Sequence, residues 1–286
     1  MSGSRRPQGE PPLSVEDLRR FCDFLYVRTG MMFGESKRYY VERRLDERLE
    51  ATGSRTMSAY LARLRSDPEE AVTVVNSFTV NETYFYREDH QFRCLGEDIL
   101  PEVIRNRTPG DRIRLWSQPC STGEEAYSIA LWLLENWRMV DAYNVEIVGS
   151  DVDTDALAAA RAGRYGPRAL SRLPEAALEA YFEPARRHTR EIIKDLRESV
   201  SFTEANLVDA ASMAAQGRFE AIFCRNVLIY FDDASRARAA DNLYAALAPG
   251  GFLLLGHSES FRLDERFELR RLPNAIVYQR PYSRTG

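Results

Sequence analysis

The stretch that decides the fold runs from Arg112 to Tyr127 and reads RIRLWSQPCSTGEEAY. Its first residues predict a short buried strand, the small and polar residues after them predict a tight loop, and an apolar helical pattern starts at Ala126. A second apolar run, Val145–Val148, leads to Asp151. Strand, loop, helix, strand and acid in this order are typical of a doubly wound α/β fold with a nucleotide site.

The loop between the first strand and its helix predicts the kind of ligand. It contains one glycine, Gly123, and no G-x-G-x-x-G pattern, which argues against a bound pyrophosphate. Ser121 and Glu124 have the form of a capping box, so we expect them to begin the helix. Asp151 could accept both hydroxyls of a ribose. An adenosine ligand without phosphates, such as S-adenosylmethionine, fits this pattern, and a purely structural strand–helix crossover remains the alternative.

Composition narrows the class of protein. The 286 residues are 44% apolar, enough for one large domain or two unequal ones. The 39 basic residues are balanced by 43 acidic ones, so a general nucleic-acid binder is not expected. The four cysteines form no C-x-x-C pair, which predicts neither a metal site nor a disulfide framework. Without a signal peptide or a long apolar run, we expect a soluble, cytoplasmic protein with no direct membrane insertion.

The first eighty residues predict a helical domain. Residues 1–12 are rich in Ser, Gly, Arg and Pro and predict a disordered tail. Residues 13–80 carry helical patterns, the first of them capped by Ser14. The second helix, about 37–51, places basic side chains roughly on one side, and they are Lys37, Arg44, Arg48 and, further on, Arg55. This side is either a solvated face with Glu–Arg pairs or a surface for an acidic partner.

The sequence after residue 80 predicts a linker followed by the α/β domain. We expect residues 81–110 to form a linker and helix that contribute to the ligand site, and residues 111–286 to form the domain itself. An insertion at about 187–202 predicts two short strands, 189–194 and 199–202, joined by a polar turn. Residues 267–272 and 275–279 predict a closing antiparallel pair.

Two further segments carry candidate chemistry. Asn226–Tyr230 follows the fourth predicted parallel strand, where ligands of open α/β sheets bind. It lacks the Pro-Pro motif of methyltransferases that act on DNA amino groups, which also argues against nucleic acid. Gly256–Ser260 is similar to a hydrolase motif, but that motif requires glycine where Ser260 stands.

Taken together, these segments resemble the CheR family of chemotaxis receptor methyltransferases. The matching segments, in chain order, are Asn81–Glu88, Cys120–Ser128, Ser150–Asp153, Asn206–Leu207, Ile222–Phe231 and Gly256–Ser260. The resemblance covers about residues 14–280. It implies a Rossmann-like S-adenosylmethionine methyltransferase domain with a small antiparallel β-subdomain insertion, preceded by an all-helical N-terminal domain.

The resemblance also implies an activity and a set of site residues. The enzyme would transfer a methyl group from S-adenosylmethionine to glutamate side chains of chemoreceptors, a step in sensory adaptation. The implied cofactor contacts are Asn81, Thr83, Arg87, Glu125, Asp151, Asn206, Leu207, Asn226 and Val227. Arg87 and Tyr230 would lie nearest the transferred methyl. A glutamate carboxylate is already ionised at pH 7, so no general base is required.

The family also implies how receptors are recognised. Its basic N-terminal helix, here about 37–55, faces acidic methylation helices. Some members grip a receptor C-terminal pentapeptide through a glycine-bearing loop of the β-subdomain. Residues 182–201 contain no glycine, so we expect independence from the pentapeptide. Gln118-Pro119 departs from the family's first loop and leaves cofactor affinity open. The rival interpretation is a catalytically weak CheR-like module that binds cofactor or receptor.

Overall fold

The computed structural model describes residues 14–34, 37–261 and 265–282. It divides into two compact units. One contains the described residues up to Val80 together with Tyr230–Ser235, and the other contains Asn81–Ile229 and the described residues from Arg236 onward. The tail expected at residues 1–12 lies outside the described residues. Within the described part of the chain, no helix combines the length and the apolar character that crossing a membrane requires.

The first unit is built from helices. Their bounds are α1 Val15–Thr29, α2 Arg38–Thr52, α3 Met57–Ser66 and α4 Pro68–Phe78. The predicted cap is confirmed, because the Ser14 side chain accepts a hydrogen bond from the backbone N–H of Asp17. Phe21, Tyr60 and Phe78 are fully buried where the helices meet. Burial of each such side chain contributes about 1.5–3 kcal/mol, so these aromatic residues are a substantial part of the unit's hydrophobic core.

The second unit is an α/β domain. Its helices are α5 Asp89–Cys94, α6 Leu100–Ile104, α7 Glu124–Asn136, α8 Thr154–Ala162, α9 Pro167–Leu170, α10 Glu175–Tyr181, α11 Lys194–Ser199, α12 Ala210–Ala214 and α13 Asp233–Ala246. The first three residues of α13, Asp233–Ser235, are the exception, because they belong to the first unit. Its strands are β1 Arg112–Ser117, β2 Asn144–Asp151, β3 Arg164–Tyr165, β4 Arg190–Glu191, β5 Val200–Glu204, β6 Phe219–Cys224, β7 Leu247–Leu255, β8 Glu268–Arg271 and β9 Ile276–Gln279. A π-helical turn, Leu95–Ile99, separates α5 from α6.

The main sheet has seven strands in the order β5-β2-β1-β6-β7-β9-β8. The first five run parallel, while β9 pairs antiparallel with both β7 and β8. The central strands are buried almost throughout, which explains their continuous apolar runs. The predicted fold class is confirmed, and so is the closing antiparallel pair.

The small second sheet differs from the predicted strand pair. It joins β3 to β4, with Arg164 opposite Glu191 and Tyr165 opposite Arg190. The predicted second strand, 199–202, belongs instead to β5, whose Val200–Glu204 pairs in parallel with β2. The polar turn expected between the two strands forms α11, because Leu196 is buried on one side while the charged residues around it stay at the surface.

Candidate functional site

The carboxyl ends of the parallel strands form the candidate site. In the sheet order, β1 lies between β2 and β6, and the strands that follow β1 in the chain are placed on both of its sides. Such a reversal opens a crevice beyond the strand ends, where ligands of open α/β sheets bind. The loops that leave this edge are 118–123 after β1, Asp151 at the end of β2, Asn206–Leu207 after β5, Asn226–Val227 after β6 and Gly256–Ser260 after β7.

Asp151 is held by backbone donors from two loops. The N–H of Ser121 donates to Asp151 Oδ2 at 2.8 Å, and the N–H of Asp153 donates to Oδ1 at 2.9 Å. Asp151 is 4% exposed. Burial raises the pKa of Asp151 to about 6, and the two backbone hydrogen bonds offset part of that rise. Such a carboxylate gains from hydroxyl donors, which makes this position suited to a ribose.

The loop after β1 does not form the predicted capping box. The N-cap of α7 is Gly123, with φ of 93°, and it makes no side-chain capping bond. Ser121 lies two residues before this N-cap, with φ of 50°, and its hydroxyl donates to Asn81 Oδ1 at 2.9 Å. The capping-box prediction is therefore wrong, because Ser121 is used to bind Asn81 and Asp151 instead of the helix N-terminus.

Asn81 connects the segment before α5 to the strand ends. Besides accepting from Ser121, its Nδ2 donates to Asp153 Oδ2 at 2.7 Å. Asp153 also caps α8 by accepting from the N–H of Asp155 and of Ala156. Thr83 follows Asn81 and is half-buried. The structure thus brings Asn81, the loop after β1 and the end of β2 into one hydrogen-bonded group.

Arg87 lies at the end of the same segment and is half-buried. Its Nη1 donates to the backbone oxygen of Glu82 at 3.0 Å, and its guanidinium carbon is 5.7 Å from the centre of the Tyr84 ring. Its own backbone oxygen accepts from Arg225 Nη2 at 2.7 Å. No carboxylate among the described residues forms an ion pair with Arg87, so its charge can serve an anionic group.

Glu125 lies in the first turn of α7 against a buried arginine. Its Oε1 accepts from the Ser117 hydroxyl at 2.7 Å, and its Oε2 is 2.8 Å from Arg225 Nε. The two are an ion pair by distance, although that N–H does not point at the carboxylate and makes no hydrogen bond with the described residues. Burial raises the pKa of Glu125, and the charge of Arg225 offsets part of that rise.

The remaining predicted residues occupy the ends of β5 and β6. Asn206 Oδ1 accepts from the N–H of Val208 at 3.1 Å, and the backbone oxygen of Leu207 accepts from Asn242 Nδ2 at 2.9 Å. Asn226 has φ of 60°, a left-handed conformation that turns the chain directly after β6. Val227 is half-buried next to it. All four residues therefore belong to the edge that carries Asp151.

Tyr230 is placed by other contacts. It ends the short 3₁₀ turn Leu228–Tyr230 and is assigned to the helical unit. Its backbone oxygen accepts from the N–H of Met32 at 2.9 Å, and Lys37 Nζ is 5.0 Å from the centre of its ring. Arg87 and Tyr230, the pair expected nearest the transferred methyl, thus belong to different compact units.

The structure adds several residues to this edge that the sequence patterns do not predict as site residues. Asp153 and Arg225 bind residues of the predicted set, and Glu259 binds the loop after β6. A signal existed for Arg225, because a charge directly after the apolar run of β6 needs a buried partner. No sequence pattern indicated a role for Glu259, apart from the resemblance of Gly256–Ser260 to the CheR family.

Comparisons with known proteins agree with this geometry. Residues 81–276 match the family model of the CheR methyltransferase, SAM binding domain, and residues 16–79 match that of the CheR methyltransferase, all-alpha domain. The chain is 44% identical over 269 residues to Chemotaxis protein methyltransferase 2 of Vibrio cholerae serotype O1, covering 93% of each. It is 38% identical over 265 residues to the Chemotaxis protein methyltransferase of Klebsiella aerogenes, covering 91% of this chain and 88% of the relative.

Proposed function

Because the chain belongs to the CheR methyltransferase family, we propose that it methylates glutamate side chains of methyl-accepting chemoreceptors and uses S-adenosylmethionine as the methyl donor. The product is a glutamate methyl ester, and the process served is sensory adaptation. The single observation that carries the proposal is the Asp151 carboxylate, buried at the end of β2 with backbone donors from Ser121 and Asp153. No contact of the described residues favours the rival of a catalytically weak binding module.

The residues at this edge fit the cofactor by their chemistry. Asp151 offers a carboxylate to the ribose hydroxyls, and the loop beside it has no phosphate cradle. The proposed contacts are Asn81, Thr83, Arg87, Glu125, Asp151, Asn206, Leu207, Asn226 and Val227. Amides and backbone groups at Asn206, Leu207 and Asn226 suit a neutral base, whereas Arg87 and Glu125 suit the charged amino-acid end. When bound, the cofactor supplies a methyl group on a sulfonium, already activated for transfer.

The protein's own contribution to the reaction is positioning. A receptor glutamate is ionised at neutral pH, so its oxygen would be ready to accept the methyl group and no side chain would have to remove a proton. Holding the two reacting groups in line is worth up to about 7–11 kcal/mol of the barrier. We assign the orientation of the acceptor carboxylate to Arg87, whose guanidinium has no acidic partner among the described residues, and support of the transfer geometry to Tyr230.

The test is transfer of labelled methyl from S-adenosylmethionine to membranes that carry candidate chemoreceptors. Wild type and Asp151→Ala are compared with Asp155→Ala, which changes an exposed acid in the first turn of α8. We expect base-labile label in the receptor band with wild type and Asp155→Ala, and none with Asp151→Ala. Cofactor binding by the wild type without any label in a full set of receptors would support the binding-module rival.

We assign receptor recognition to the basic helix at about 37–55, but without Arg48. Arg48 does not belong to an open basic face, because its Nε donates to Glu70 Oε1 at 3.0 Å and Glu70 is buried. The charge available to an acidic partner comes from Lys37, Arg44 and Arg55, which pair with no acid among the described residues. Arg44 is held in place over the Tyr40 ring at 4.6 Å, which reduces the entropy lost on binding.

We further propose that the enzyme works in the cytoplasm and does not depend on a receptor C-terminal pentapeptide. The hairpin of the insertion turns at Arg187 and His188, both in the left-handed region without glycine. Arg186 and Thr189 close it through two backbone hydrogen bonds, so the turn is tight. Calorimetric titration with such a peptide should give no heat of binding, and micromolar affinity would contradict the proposal.

A further inference from the structure

Glu259 lies at the candidate site, and its carboxylate accepts hydrogen bonds from several backbone N–H groups. It has no role in the methyl transfer proposed above. Its Oε2 accepts from the N–H of Asn226 at 2.7 Å and from the N–H of Gly256 at 3.0 Å. Its Oε1 accepts from the N–H of Leu228 at 2.7 Å. One carboxylate therefore binds three backbone donors from two loops, the one after β6 and its own.

The contacts of Glu259 coincide with the strained point of the loop after β6. Asn226 has φ of 60°, a conformation that costs a residue with a side chain about 1 kcal/mol or more. Such a conformation persists when surrounding contacts hold it. The N–H groups on either side of Val227 both point at Glu259, so the carboxylate fixes the direction of the backbone at Asn226 and Val227.

The loop of Glu259 is shaped to keep the carboxylate there. A Cβ placed on Gly256 would lie 2.7 Å from Glu259 Oε2 and 3.1 Å from Asn226 Nδ2. Both distances are shorter than ordinary contacts, so a side chain at Gly256 would push the carboxylate off its donors. No arginine or lysine among the described residues forms an ion pair with Glu259. Its negative charge is balanced by the backbone N–H groups instead.

We propose that Glu259 is a positioning residue for the cofactor, acting through the backbone of Asn226 and Val227. This inference rests on the proposed function, since Asn226 and Val227 are cofactor contacts there. Charge-assisted hydrogen bonds from three N–H groups hold the loop after β6 in the binding conformation before the cofactor arrives. Without them, the loop spends most of its time in conformations that do not bind, and the observed affinity falls in proportion.

The test measures binding of S-adenosylhomocysteine to the full chain by calorimetry, with no receptor present. Glu259→Gln keeps the shape of the side chain but places an NH₂ group where N–H donors converge. Gly256→Ala displaces the same carboxylate without removing its charge. Glu268→Gln, in the edge strand β8, is the control, because that side chain is exposed. We expect the dissociation constant to rise about tenfold or more in both test variants and to stay within about twofold in the control.

Amide exchange distinguishes positioning from a general folding defect. We expect faster exchange at Asn226 and Leu228 in Glu259→Gln, with unchanged exchange in β1 and β2. Unchanged affinity in both test variants would overturn the inference, and so would faster exchange across the whole α/β unit. Absence of binding by the wild type would instead contradict the proposed function.

Discussion

Two buried acids, one in each unit, are stabilised in opposite ways. Glu70 of the helical unit accepts from Arg48 and from the Tyr60 hydroxyl, the latter at 2.7 Å. Burial alone would raise the pKa of Glu70, but these side-chain hydrogen bonds and the charge of Arg48 outweigh it and leave the pKa below its usual value. The donors that Asp151 has among the described residues are backbone N–H groups, and burial leaves its pKa raised to about 6.

These different partners indicate different roles. Glu70 is a structural residue, whereas Asp151 is available to bind a ligand. Glu70 has an arginine and a tyrosine as partners, and its charge is already compensated inside the unit. Asp151 is desolvated without a cation among the described residues, so its ionised form is disfavoured until further donors arrive. A ligand with two hydroxyl groups would supply them. Changes at the two acids should therefore affect different measurements: cofactor affinity for Asp151 and the free energy of unfolding for Glu70.

The largest effect is expected at Asp151. Replacing it by Ala removes the proposed acceptor for the ribose hydroxyls, and we expect S-adenosylhomocysteine to bind about 100-fold more weakly or worse, because hydrogen bonds to a charged group are lost. Calorimetry measures this directly. Asp155→Ala should bind like the wild type. Equal affinity in Asp151→Ala and wild type would remove the distinction between the two acids.

The next effect concerns stability and is expected at Glu70. Glu70→Gln leaves Arg48 partly buried without its counter-charge, so we expect the free energy of unfolding to fall by about 2 kcal/mol. Denaturant titration of wild type, Glu70→Gln and Glu69→Gln measures it, with the exposed Glu69 as the matched control. Affinity for S-adenosylhomocysteine should not change. If it falls as far as in Asp151→Ala, the two acids do not have separate roles.

Much of this comparison could be predicted from sequence. The apolar runs of β1, β2 and β6 sufficed for the fold and for the position of Asp151 at the end of β2, because local patterning and strand order determine them. Glu70 and Glu259 could not be assigned, because their partners are distant in sequence or are backbone groups that any residue carries. Helical periodicity places Arg48 on the basic side of α2, facing either solvent or an acidic partner, and does not show that Glu70 lies opposite.

The pH dependence of binding should follow Asp151. With a pKa of about 6 in the unbound protein, affinity for S-adenosylhomocysteine should be constant above pH 7 and about tenfold lower at pH 5. Calorimetry at pH 5, 6, 7 and 8 checks this. Constant affinity down to pH 5 would contradict the raised pKa.

The raised pKa of Asp151 has opposite effects on binding and on stability. As the pH falls, ligand affinity decreases, whereas the contribution of Asp151 to the free energy of unfolding increases. The folded-state pKa of Asp151 lies above the ordinary value of 3.8, so its contribution to stability is largest at low pH and is lost as the pH rises through about 6. The pKa of Glu70 is lowered from 4.5, so its contribution is present above that pH and is lost as the pH falls. Weaker binding at pH 5 therefore cannot be attributed to unfolding caused by Asp151.

The smallest effect is expected on receptor affinity when an arginine of α2 is replaced. It distinguishes Arg44 from Arg48, which pairs with Glu70. Arg44→Ala removes a half-exposed charge that has no acid partner among the described residues, so receptor affinity should fall about threefold, and less at high salt, as for charges at the rim of an interface. Arg48→Ala should instead lower the unfolding free energy, since its charge already serves Glu70. Receptor titrations at low and high salt, combined with unfolding curves, separate the two. If Arg48→Ala weakens receptor binding more than Arg44→Ala while the fold stays intact, Arg48 leaves Glu70 to bind the receptor and the pair is a switch, not a structural contact.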